Sequence, residues 1–108
     1  MKATYGFRAT MTARPGKGDA LVDLLLSAMT EGSGASTDCL VYLVGQSAAN
    51  RDVVHVTEGW TTREAHAENF ASDKAKAFVA RIAPLLGDEP QYQDEVPVGG
   101  TFRDEVKR

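Results

Sequence analysis

The order of patterned segments predicts an α+β domain, with a four-stranded antiparallel sheet carrying its helices on one face. Three observations predict it: a period-two segment near the N-terminus, two adjacent β-rich runs in mid-chain, and helical periodicity following the first segment and the two runs.

From Thr4 to Ala13, Tyr5, Phe7, Ala9, Met11 and Ala13 fall on one side and polar residues on the other, the pattern of a half-buried strand. Pro15 and Gly16 end it. Leu21, Leu24, Leu25 and Ala28 then recur at helical spacing, which predicts a first helix over about Lys17 to Glu31, with Gly32 at the position that commonly takes a positive φ. The small, polar stretch Gly32 to Asp38 reads as a loop. Cys39 to Gln46 and Val53 to Trp60 are rich in β-branched and aromatic residues, so they are expected to pair as an antiparallel hairpin. Thr61 with Glu64 three residues later forms a capping box, which predicts a helix starting straight after Trp60. Ser72 and Asp73 open a further helical segment through Ala75, Phe78, Val79, Ile82 and Leu86, with Pro84 bending or ending its last turn. A weaker strand, Gln91 to Val98, closes the pattern, and Pro97 places its end at an edge. The resulting order is the ferredoxin-like βαββαβ arrangement.

A chain of 108 residues with 43% hydrophobic content supports one core, so residues 1–100 are expected to form a single domain followed by a charged tail, 101–108. The net charge of −3 lacks the basic stripe that phosphate neutralisation requires, which argues against a nucleic acid partner. A lone cysteine, Cys39, cannot form an internal bridge and fits a reducing, cytoplasmic setting. No apolar stretch approaches the roughly 20 residues that span a bilayer.

Leu40 to Val44 and Val53 to Val56 are apolar on both parities, although helices can cover only one face of the sheet. A second copy related by a twofold axis supplies a matching surface, so a homodimer is expected.

Arg14-Pro15-Gly16-Lys17 before the first helix, Val54-x-Val56-x-Glu58-x-Trp60 on the third strand, and Arg63-Glu64-Ala65-His66 on the next helix together resemble the antibiotic biosynthesis monooxygenase (ABM) family. The likeness covers roughly residues 4 to 100 and is nearest to the small members described as quinol monooxygenases. It implies a dimeric α+β barrel with a pocket in each protomer between sheet and helices. It also implies oxidation of a small quinol or hydroxylated aromatic compound by dioxygen, without metal, flavin or other cofactor. Such chemistry needs a dry pocket, a base, and donors for developing negative charge.

Parity puts Val54, Val56, Glu58 and Trp60 on one side, toward the helices. The Trp60 indole N–H is a donor suited to a substrate carbonyl or reduced oxygen, or else Trp60 is simply the largest core residue. His66 is the candidate base, with a packing histidine as the alternative. Asn69, one turn on, could orient the imidazole or donate to an oxyanion, or be a solvated helix residue. Glu58 reads as a pocket carboxylate paired with Arg81 or Lys74, and Tyr42, Val56, Phe70, Phe78 and Ile82 as pocket wall. His55 has the opposite parity and reads as an interface residue.

The haem-degrading relatives place a ligand histidine roughly three turns beyond the strand tryptophan, where this chain has Asn69 and Phe70, so haem ligation is not expected. Two histidines of opposite orientation and one cysteine give no zinc spacing. Gly16-Lys17-Gly18 and Gly45-Gln46-Ser47 complete neither a nucleotide loop nor a nucleophile elbow. The alternatives to a monooxygenase are a non-catalytic dimeric module binding a small apolar metabolite, and an isomerase or cyclase using the same pocket.

Overall fold

The computed structural model describes residues 2–101, so the expected tail lies outside the described residues except for Thr101. The elements follow as β1 (Tyr5–Thr12), α1 (Gly18–Glu31), β2 (Cys39–Gln46), β3 (Val53–Trp60), α2 (Arg63–Phe70), α3 (Asp73–Ile82) and β4 (Gln91–Glu95). They form an antiparallel sheet in the order β2-β3-β1-β4, which is the ferredoxin-like α+β arrangement.

The hairpin forms over the two runs expected for it, with Tyr42 opposite Glu58 and Val44 opposite Val56. Alternation then sorts the faces. Ala9, Met11, Val54 and Val56 join Leu21, Val22 and Leu25 of α1 and Ile82 of α3 in the core beneath the helices. His55 stands exposed on the other face, with Thr10 Oγ1 3.2 Å from its Nδ1.

The entry to α1 is a turn over Arg14-Pro15-Gly16-Lys17, closed by Lys17 N donating to Arg14 O at 2.9 Å. Gly16, at φ 81°, takes the left-handed position that follows proline in such a turn. The expected positive φ at Gly32 does not occur: its φ is −136°, and its N–H simply closes the last turn of α1 on Ala28 O. A short 3-10 turn, Ser33–Ala35, then starts the expected loop.

The start of α2 also differs from the expectation. Its N-cap is Thr62, whose Oγ1 accepts from Ala65 N at 3.0 Å. Thr61 is committed elsewhere, donating through Oγ1 to Asp38 Oδ1 at 2.8 Å and through its amide to Asp38 O. Ser72 caps α3 as expected, accepting from Ala75 N, and Pro84 falls in a 3-10 turn, Ala83–Leu85. The last strand stops at Glu95, short of the expected Val98: its pairing with β1 ends at Gly6 opposite Glu95, and Val96 and Val98, on either side of Pro97, are exposed.

Candidate functional site

Because β1 and β3 turn Phe7 and Glu58 toward the helices, and α2 crosses above them, an apolar cavity of about 280 Å³ is left between sheet and helices. The expected wall residues Tyr42, Val56, Glu58, Phe70, Phe78 and Ile82 all border it, and so does His66. Trp60 and Asn69 do not. Most of the remaining wall is apolar, with Phe7, Leu25, Val79 and Leu86 among its residues.

Phe7 and Tyr92 are the cavity aromatics that sequence reasoning did not single out. Phe7 lies with its ring centroid 4.7 Å from His66 and 5.4 Å from Tyr92. Phe7 shares its parity with Ala9 and Met11, a signal legible in the sequence; Tyr92 sits on the short edge strand, opposite Ala9, where the pattern is weak.

His66 is set into a ring of aromatic side chains, with centroids at 5.2 Å for Tyr5, 5.3 Å for Trp60 and 6.1 Å for Phe70. Burial in that setting lowers its pKa below the ordinary histidine value, more than the nearby Asp94 carboxylate raises it. The imidazole is therefore neutral at neutral pH, the form that can accept a proton. On its outer side His66 also borders a surface hollow with Tyr5, Arg63 and Lys76, so the ring separates the cavity from solvent. Tyr5 donates to Asp94 Oδ1 at 2.6 Å, Arg63 reaches Asp94 Oδ2 at 3.3 Å, and burial with this bond pushes the Tyr5 phenol up to about 12.

Trp60 is fully buried, but its Nε1 donates at 2.8 Å to Glu58 Oε1 and not toward the cavity. Glu58 forms no ion pair with Arg81 or Lys74, correcting the expected pairing. Both of those cations are exposed on α3, which instead turns Ala75, Phe78 and Ile82 to the cavity. Burial raises the Glu58 pKa above its ordinary value, and the Trp60 hydrogen bond offsets part of that rise by favouring the carboxylate. Tyr42 is tied by its hydroxyl to Leu25 O at 2.8 Å, and burial, with the Glu58 charge nearby, raises its pKa. Asn69 is half-buried one turn beyond His66, and its backbone carbonyl accepts from Ser72 N and Oγ, joining the end of α2 to the cap of α3. Among the described residues no three His, Cys, Asp or Glu side chains converge as a metal site, and no helix is long and apolar enough to cross a membrane.

Residues 4–81 match the family described as "Antibiotic biosynthesis monooxygenase". The chain belongs to this family. A candidate antibiotic biosynthesis monooxygenase from Chloroflexus aurantiacus is 32% identical to this ABM chain, with a TM-score of 0.77 over 93% of this chain and 98% of that one. A second candidate of that description, from Caulobacter crescentus, is 22% identical with a TM-score of 0.80 over 91% and 92% of the two chains. The protein Rv0793 from Mycobacterium tuberculosis is also 22% identical, with a TM-score of 0.78 over 93% and 100%. No curated protein matches the ABM chain.

Proposed function

We propose that this ABM protein is a cofactor-independent monooxygenase that oxidises a small quinol or hydroxylated aromatic compound with dioxygen. The cavity carries the proposal: apolar and aromatic walls surround a space in which Glu58 and neutral His66 are the titratable groups other than tyrosines. An apolar cavity of about 150 Å³ holds one benzene ring. At about 280 Å³ this one has the size for two fused rings.

His66 takes a hydroxyl proton as the electron-rich ring gives up electrons to dioxygen. A C–O bond forms at a ring carbon that carries hydrogen, and the O–O bond then breaks. One oxygen atom stays on the ring as a carbonyl. The other leaves as water, carrying the hydroxyl hydrogen and the ring hydrogen, so the substrate gives up four electrons in all, two for each oxygen atom of dioxygen. Because His66 faces both the cavity and the outer hollow, it can pass its proton to solvent. Trp60 and Asn69 support this arrangement from outside the cavity wall, Trp60 through Glu58 and Asn69 through the α2 end that carries His66.

Oxygen uptake on adding menadiol or a naphthol tests the reading. The native chain is expected to consume oxygen well above the buffer blank, and His66→Ala to lower kcat by roughly 10²-fold or more. Uptake equal to the blank across a panel of hydroxyarenes, with ligands still raising the melting temperature, would favour the binding-module alternative.

The proposal includes a homodimer through the helix-free face. Val41, Leu43, Val53 and Thr57 lie on that face, half-buried, opposite in parity to the cavity residues. Leu43→Asp is expected to leave a folded chain that sediments as a single subunit, whereas the native chain sediments as a pair. A native chain that sediments singly at micromolar concentration would remove the dimer from the proposal.

A further inference from the structure

Glu58 is the half-buried carboxylate of the cavity wall to which the hydroxyarene reading gives no proton step. It sits in mid-sheet between Phe7 of β1 and Tyr42 of β2, and its side chain borders the cavity. Oε1 is held by the Trp60 indole at 2.8 Å. Among the described residues no fully buried side-chain oxygen or nitrogen lacks a partner, and no bond accompanies Oε2, so Oε2 keeps some accessible surface on a side chain that borders the cavity. Arg8 pairs with Glu95, Arg51 with Asp19 and Arg63 with Asp94 on the surface, and the groups that act on Glu58 include no cation. A carboxylate in such a place keeps one oxygen for a donor that arrives with the ligand.

We propose that Glu58 is a second catalytic residue, accepting a proton from a substrate hydroxyl through Oε2, and that Trp60 is the positioning residue that holds Glu58 through Oε1. This rests on the reading of the cavity as a hydroxyarene site and narrows it to substrates that place a hydroxyl at mid-sheet. The indole bond makes the carboxylate a defined acceptor: it fixes the rotamer and satisfies one oxygen, while an N–H with no acceptor capacity cannot take the proton itself. In a substrate with two hydroxyls, His66 takes the proton of one and Oε2 the proton of the other as the ring is oxidised by dioxygen. Glu58 then returns that proton to the oxygen that departs as water. The groups facing Glu58 are Tyr42 and Cys39 from β2, Tyr5 from β1, Trp60 on its own strand, His66 from α2 and Tyr92 from β4; α1 and α3 turn only apolar side chains and Gly32 to the cavity nearby. None of these is a cation at neutral pH. Burial therefore raises the Glu58 pKa above its ordinary value with no facing cation to offset it, in the direction that improves a base.

The test uses the full chain. Glu58→Gln keeps the side-chain shape and an oxygen for the Trp60 N–H, so it is expected to fold, to bind anaerobic 2-naphthol, and to lose roughly 10²-fold to 10⁴-fold in kcat. Trp60→Phe removes the donor that favours the carboxylate, so the acid limb of kcat and the carbon NMR midpoint of the labelled Glu58 carboxyl are both expected to move to higher pH, and the Glu58 midpoint separates this from a change at His66, which Trp60 also packs against. Wild-type kcat in Glu58→Gln, or an unmoved acid limb in Trp60→Phe, would overturn the inference and leave the hydroxyarene reading standing. A carbon NMR titration of the labelled Glu58 carboxyl supplies a readout without turnover. Its midpoint is expected to shift when 2-naphthol saturates the protein under anaerobic conditions, and a midpoint that does not respond overturns the role of Glu58. Absence of oxygen uptake by the native chain overturns the oxygenation reading instead.

Discussion

Val56→Asp is expected to unfold the protein or to lower its melting temperature by on the order of 20 °C, the largest loss of stability among the substitutions considered. Val56 is 2% exposed and lies in the middle of the sheet, opposite Ala9 on one side and Val44 on the other. A carboxylate there has no cation in reach, and the nearest titratable neighbour on the same strand face, Glu58, carries the same sign. Leaving a buried charge unpaired costs roughly 3–5 kcal/mol, a large part of the stability of a small domain. Circular dichroism melts of Val56→Asp beside Val56→Ala measure the difference, since truncation to alanine removes packing without adding charge. Equal melts for the two variants would mean that Val56 does not face the helices.

The same face assignment explains how much of the site could be read without coordinates. Strand parity alone orders Val54, Val56, Glu58 and Trp60 along one face, and the polar stretch Ser47 to Asp52 marks the hairpin turn, so β2 and β3 occupy the residues expected for them. Long-range commitments were not legible. The pairing of Thr61 with Asp38 spans 23 residues and moves the cap of α2 to the adjacent threonine, a choice that a local capping pattern cannot make. The Glu58 partner differs from the expected one for the opposite reason. Glu58 and Trp60 are two residues apart on one strand face, close enough to bond, whereas the expected cations Lys74 and Arg81 sit on the outward side of α3. A buried indole N–H needs an acceptor, and the nearest one in sequence was already on its face.

Gly18→Ala is expected to destabilise the fold by about 2–4 kcal/mol, although glycine to alanine within a helix ordinarily gains stability. Gly18 is the first residue of α1, and it is buried against the turn that joins β2 to β3. A Cβ there would overlap Arg51 O and stand 2.8 Å from Asp52 Cα, both backbone atoms that cannot swing aside as a side chain could. The crowding falls on the residues that hold the helix start. Asp52 Oδ1 accepts from Gly18 N at 2.9 Å and Oδ2 from Gly16 N at 3.1 Å, so one carboxylate serves two otherwise free amides at the N-terminus of α1. Relieving the overlap requires the turn to retreat from the helix, which breaks both bonds. The two sites should then be strongly non-additive: Asp52→Ala alone is expected to cost about 1–2 kcal/mol, but little beyond the Gly18→Ala loss when the two are combined. Urea unfolding of the two single variants and the double variant measures that coupling. Additive losses would show that Asp52 still caps α1 in Gly18→Ala and that the helix, not the turn, absorbs the extra methyl group.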